Sequence, residues 1–251
     1  MRQAFLEFPW VHAPAPKTFF YFFRSFGRLQ RLRPGQSIFN GGPEGEVGFL
    51  LSGLCAYRMQ NSRDQEHWLT LVPEGRLIGD IDAFTGAVVN ILDYALRPSE
   101  MLIMERHTFF EKLRNDPAMG MEHAQTVAAE HESDLEGMFS AVSDPLTVRI
   151  AKLFAALCFR DEPRERFNWH EAKARFRPQP VPYALSPTEI AKIVGASRTA
   201  VSLCLTRCEK EGLLRSEGGV RVIMPAMIAD LTDWLTEGAK PIVRHSRRRS
   251  S

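Results

Sequence analysis

Apolar and polar positions along the chain change their spacing twice. From Leu32 to about Glu105, the runs "GQSIF", "VGFLLSGLCAYRM", "HWLTLV", "ILDYAL" and "EMLIME" are separated by Gly, Pro, Asn and Asp. Short runs rich in β-branched and aromatic residues predict strands joined by tight turns, here an antiparallel roll or barrel. Gly35, Gly41, Gly42, Gly53, Gly75 and Gly79 stand where a strand must stop or reverse. Ahead of them, "TFFYFFRSF" (Thr18 to Phe26) contains Arg24 and is too short to span a membrane, so it predicts a helix packed on the same unit.

After Asp116-Pro117 the spacing becomes helical. Met121, Ala124, Ala128, His131, Leu135, Met138 and Val142 step by three and four without a break, the pattern of a two-helix seam. Ala124 and Ala128 would let two backbones approach closely, and a polar His131 would fix register, so the helix predicts a homodimer. Ser143-Asp144-Pro145 reads as a hinge before a further helix over "DPLTVRIAKLFAALCF". A connection of about twenty residues follows, longer than ordinary loops.

The segment "LSPTEIAKIVGASRTAVSLCLTRCEKEGLL", Leu185 to Leu214, carries the densest local signals. Ser186, Pro187 and Glu189 form a capping box, Gly195 allows a sharp turn, and Ser197 caps a second helix. Along that helix Val201, Cys204, Leu205 and Cys208 face inward and Thr199, Ser202 and Thr206 outward, with Arg198 at the edge in the first turn. These four, with Ser197 and Arg207, are the candidate DNA-binding residues. Two strand-like runs around Gly218-Gly219 follow, a hairpin signal. Helix, turn, helix and hairpin describe a winged helix-turn-helix. Its small polar outer face suits the major groove of double-stranded DNA, with Arg198 fitted to a guanine.

Composition narrows the classes. The chain has 251 residues and a formal charge of +2, so it has room for two domains, and any nucleic-acid patch is local. Such a patch is the tail "VRHSRRRSS", read as a solvated segment or a sequence-blind phosphate grip. Cys55, Cys158, Cys204 and Cys208 form no CxxC pair, which argues against a disulfide scaffold or four-thiolate metal site and for the cytoplasm. No HExxH, GxSxG or phosphate-binding loop is present, which argues against an enzyme.

Together "LRPGQSIFNGGPEGEVGFLLSGLCAYRM", "LIGDIDAFTG", the long central helix and the capped helix pair resemble the cyclic-AMP receptor protein and FNR (Crp/Fnr) family of bacterial transcription regulators over nearly the whole chain. The resemblance implies an α+β fold. Residues 1–117 would form a cyclic-nucleotide-binding-like β-roll (jelly roll), 118–143 a dimerisation helix, and 144–251 a winged helix-turn-helix with a basic tail. It further implies a small-molecule effector, a two-fold symmetric operator and RNA polymerase as partners. Where nucleotide-binding members carry an Arg-Ser or Arg-Thr step that grips the cyclic phosphate, this chain has Asn90-Ile91. That departure argues against cyclic AMP. The expected effector site lies between roll and central helix, near Trp68, Gly79, Asp80, Asn90 and Ile91. No cysteine precedes Cys55, which argues against an iron–sulfur sensor. A haem- or redox-dependent sensor using His12, His67, His107, His123 or His131 is one alternative on this fold. A sensor acting on a protein partner is another.

Overall fold

The computed structural model of the chain describes residues 7–38, 45–60, 66–85, 91–160 and 177–229. Helix α1 (Lys17–Phe26) buries Phe19, Phe22 and Phe23. The Phe23 ring lies 5.9 Å from Phe49 and 6.1 Å from Phe109, so the Phe-rich run is a core-packing helix. Strands β1 (Arg28–Leu32), β2 (Glu46–Ser52), β3 (Leu54–Gln60), β4 (Glu66–Pro73) and β5 (Leu77–Ile78) follow, then helix α2 (Asp80–Thr85), strands β6 (Ile91–Ala95) and β7 (Ser99–Glu105), and helix α3 (Arg106–Asn115). They form two antiparallel sheets, in the orders β1-β7-β2-β5 and β4-β3-β6.

The run "VGFLLSGLCAYRM" is two strands in different sheets. The chain changes sheet at Gly53, whose φ is 102° and where the Ser99 side chain occupies the place a Cβ would take, so no other residue fits. Strand β1 has no hydrophobic signature, because it is an edge strand on which only Leu32 is buried.

Helix α4 (Pro117–Ser143) begins at Asp116, whose carboxylate accepts from the Met119 amide. The helix turns its polar side to its own chain. Met119, His123, Thr126, Glu130, Ser133, Glu136, Gly137 and Ser140 are buried, whereas Met121, Met138 and Val142 are 61%, 58% and 92% exposed. Ala124, Ala128 and His131 are exposed and Leu135 half-buried. Apart from half-buried Leu135, the apolar stripe legible in the sequence is left exposed by the described residues. The buried stripe is polar because the packed elements present Arg76, His12, Asp80 and Lys152 to it.

Helices α5 (Leu146–Phe159), α6 (Pro187–Val194), α7 (Arg198–Lys210) and α8 (Pro225–Ala229), with strands β8 (Gln179–Pro180), β9 (Leu214–Glu217) and β10 (Val220–Ile223), complete the chain. The three strands form a small antiparallel sheet in the order β8-β10-β9. Gly218 and Gly219, both at positive φ, make the two-residue turn between β9 and β10.

One apolar cluster runs from the roll into this unit, joining Leu54 and Leu71 to Phe154, Ile190 and Val201. The segment 8–12 is wedged into it. Val11 bridges Leu71, the Ser133 hydroxyl donates to the Phe8 carbonyl at 2.6 Å, and Trp10 lies so close to Gly137 that a Cβ there would sit 2.7 Å from the indole. No helix among the described residues is long and apolar enough to cross a membrane.

Candidate DNA-reading face and effector cleft

The α6–α7 pair is built as its capping residues dictate. Ser186 Oγ accepts from the Glu189 amide at 3.2 Å, and Glu189 Oε2 accepts from the Ser186 amide at 2.6 Å. Gly195 ends α6 at φ 64°. Arg149 of α5 fixes the turn by donating to the carbonyls of Val194 (2.8 Å) and Gly195 (3.2 Å). That role has no sequence signal, because it depends on how α5 crosses α6. Ser197 Oγ then accepts from the Ala200 amide at 3.1 Å and opens α7.

Val201, Cys204, Leu205 and Cys208 of α7 are buried; Ser197, Arg198, Thr199, Thr206 and Arg207 are exposed and Ser202 half-buried. Arg207 is tethered along the helix flank, donating to Thr147 Oγ1 at 2.6 Å and lying 3.7 Å from Glu211. Arg198 in the first turn and Lys210 in the last are the other exposed cations of α7, and only Arg198 stands at the helix N-terminus.

Between the roll and α4 lies a cleft of about 160 Å³, lined by His12, Tyr57, Leu69, Gly79, Asp80, Ile81, Asp82 and Asp134. Gly79 and Asp80 thus stand where the resemblance puts the effector. Trp68 does not: adjacent β4 residues point to opposite faces, so Leu69 enters the cleft and Trp68 packs on the other side. Asn90 lies outside the described residues, as does the side chain of Ile91.

Asp80 is buried with its Oδ2 2.8 Å from His123 Nε2. His12 is buried 3.2 Å from Asp134, and burial holds its pKa below 6.5 despite that carboxylate. Behind it Arg76 and Glu130 form a buried ion pair, with the Arg76 pKa lowered by burial to about 10. Burial, together with the neighbouring charge of Asp80, pushes the Asp82 carboxyl above its ordinary value. The chargeable side chains lining the cleft are Asp80, Asp82, Asp134 and His12, a set weighted to carboxylates that disfavours a phosphate.

The opposite face of β4 holds α6. Lys192 donates to Glu66 at 2.8 Å and lies 5.3 Å from the centre of the Trp68 ring. Glu66 also accepts from Trp68 Nε1 (2.8 Å) and Tyr94 (2.9 Å). Arg97 donates to both oxygens of Glu189, at 2.7 and 3.2 Å, and to the Ala184 carbonyl. Arg160 pairs with Glu74 at 2.5 Å, and Tyr183 donates to the same carboxylate.

At Glu66, Glu74 and Glu189 burial opposes ionisation, but the hydrogen bonds and cations outweigh it and hold all three below the ordinary 4.5. A depressed folded pKa stabilises fully above the unfolded value and is lost as pH falls through the folded one. Resistance to urea is therefore expected to decline as pH drops below about 4.5. A Glu66→Gln, Glu74→Gln, Glu189→Gln variant should be weaker at neutral pH with a shallower acid decline. An unchanged slope would assign the decline to other carboxylates.

Of the histidines considered for haem, His12 and His123 are buried on carboxylates, whereas His67, His107 and His131 are exposed. No metal-holding cluster occurs among the described residues. Burial, and then the adjacent Cys204 thiol, raise Cys208 to about 11, so it is a protonated core thiol at neutral pH. The basic tail and the stretch around Trp169 and His170 lie outside the described residues.

No family model and no curated protein matches the chain. Solved structures do. CLP, the c-di-GMP responsive global regulator of Xanthomonas campestris, is 18% identical, with 82% of this chain and 98% of that one covered and a TM-score of 0.61. FixK2 from Bradyrhizobium japonicum is 14% identical, covering 82% and 96%, with a TM-score of 0.64. A CRP/FNR family transcriptional regulator from Thermus thermophilus is 17% identical, covering 82% and 98%, with a TM-score of 0.61. The roll, the long helix and the capped helix pair with its hairpin thus belong to one shared architecture, and the chain has the fold of the CRP/FNR transcriptional regulators.

Proposed function

We propose that the protein is a homodimeric, effector-gated DNA-binding transcription regulator of the Crp/Fnr type, acting in the cytoplasm on a two-fold symmetric operator and through RNA polymerase. The observation that carries this reading is α7: a capped helix with a buried apolar side, an exposed polar side and Arg198 in its first turn. The exposed apolar stripe of α4 supplies a surface for a second copy, which a two-fold operator needs. The effector occupies the cleft between roll and α4. Its carboxylate lining favours a neutral or cationic molecule and disfavours cyclic AMP.

Gating follows from the alternation of β4. Leu69 touches the cleft while Glu66 and Trp68 hold α6, so a shift of this strand on effector binding reaches the reading unit directly. Selection of bound fragments from a random DNA pool at near-physiological salt tests the reading. A symmetric motif should be enriched, and Arg198→Ala should weaken it by about 1–3 kcal/mol and relax preference at one position of each half-site. Unchanged specificity in that variant would remove Arg198 from base reading.

A further inference from the structure

The outward face of α7 is chemically divided. Its first turn holds Arg198, its middle exposes Leu203, 68% exposed, and Thr206, and its last turn exposes Arg207, Glu209 and Lys210. Leu203 lies one turn after Thr199 and one turn before Thr206, so the three form a stripe down the solvent side. Every other apolar residue of the helix that is large enough to pack, Val201 and Leu205 included, is buried. Thr206 does not offer its hydroxyl outward: Oγ1 donates to the Ser202 carbonyl at 3.0 Å, which leaves its methyl as the group available to a partner. Arg207, the cation at this level, is drawn to Thr147 and Glu211. The middle of the face therefore presents methyl groups, between Arg198 in the first turn and Lys210 in the last.

We propose, on the basis of the DNA-binding reading above, that Leu203 with the Thr206 methyl reads thymine 5-methyl groups in the major groove. Arg198 then reads a guanine from the helix N-terminus. Among the four bases, thymine alone places a methyl group in the major groove, and apolar side chains are its matching readers. A lone exposed leucine would carry no meaning elsewhere on a surface. Here its place between Thr199 and Thr206 on the groove-facing side, with the Thr206 hydroxyl and Arg207 engaged within the chain, gives it one.

The test uses the full-length protein and the operator obtained by the selection. Each thymine is replaced in turn by deoxyuridine, which removes the methyl and keeps the hydrogen-bonding edge. Wild-type affinity is expected to fall about fourfold at one or two positions per half-site, the ratio for losing one buried methyl group. Leu203→Ala should bind more weakly and lose that sensitivity, whereas Arg198→Ala should keep it. Leu203→Arg should shift preference at the same position from thymine to guanine. A motif whose every thymine tolerates uracil, or a Leu203→Ala variant as sensitive as wild type, overturns the methyl assignment and leaves the DNA-binding reading standing. Failure to enrich any motif overturns the DNA-binding reading, and the assignment with it.

Discussion

Ala128→Arg in α4 is expected to give a folded monomer that no longer binds its operator specifically. Ala128 lies midway along a stripe that its own chain leaves exposed, between Ala124 and Leu135 and continuing to Met138 and Val142. Helices pack across a stripe of this kind when small residues at its centre let the backbones approach. In a two-fold arrangement an arginine at this position would meet its own symmetry mate. The variant should retain the wild-type far-ultraviolet circular dichroism, because the residue is exposed and fills no core position. Light scattering at micromolar concentration should show half the wild-type mass. With one reading helix per molecule, affinity should fall from the range of specific regulators, roughly 10⁻⁸–10⁻¹¹ M, towards the sequence-blind range of roughly 10⁻⁴–10⁻⁶ M. A wild-type monomer, or an Ala128→Arg dimer, would assign the stripe to something other than self-association.

That stripe also marks how far the sequence alone carries. Period and capping make α4, α6, α7 and the hairpin legible, because each is specified by neighbours within four residues: Asp116 for α4, Ser186 and Glu189 for α6, Ser197 for α7. The family resemblance places Gly79 and Asp80 at the cleft, where the structure also has them. What stays hidden is set by distant partners. Helix α4 buries a polar face, against the usual expectation for an amphipathic helix, because Asp80, Arg76 and Lys152 arrive from three other parts of the chain. Trp68 is expected at the effector site, but strand alternation sends it to Lys192 instead. Segment 8–12 carries no motif beyond the lone His12, yet Trp10 and His12 pack against α4 from the side of the roll. Arg97 and Arg149 carry no motif, since each acts on backbone or side-chain atoms far along the chain.

The buried charges at the α4–α5 turn should give the largest change in stability. Lys152 of α5 is fully buried, with Nζ 2.6 Å from Asp144 Oδ2 and 3.3 Å from Glu136 Oε1. Ser140 donates to the same Asp144 oxygen at 2.6 Å. The ammonium therefore bridges the last turns of α4 to α5 and balances two carboxylates shut off from water. Lys152→Met fits the space with an apolar chain but leaves both carboxylates without their cation. Breaking a buried pair from one side costs about 3–5 kcal/mol, because the remaining charge keeps its desolvation penalty. The urea midpoint at neutral pH, read at fixed protomer concentration, should fall accordingly with little change in slope. Adding Glu136→Gln and Asp144→Asn should recover much of the loss, since neutral amides need no counter-charge. A Lys152→Met stability within about 0.5 kcal/mol of wild type, the range of ordinary surface substitutions, would mean that water reaches the two carboxylates. The α4–α5 angle would then be held by the apolar cluster around Ile150, Phe154 and Val201 in place of the ion triad.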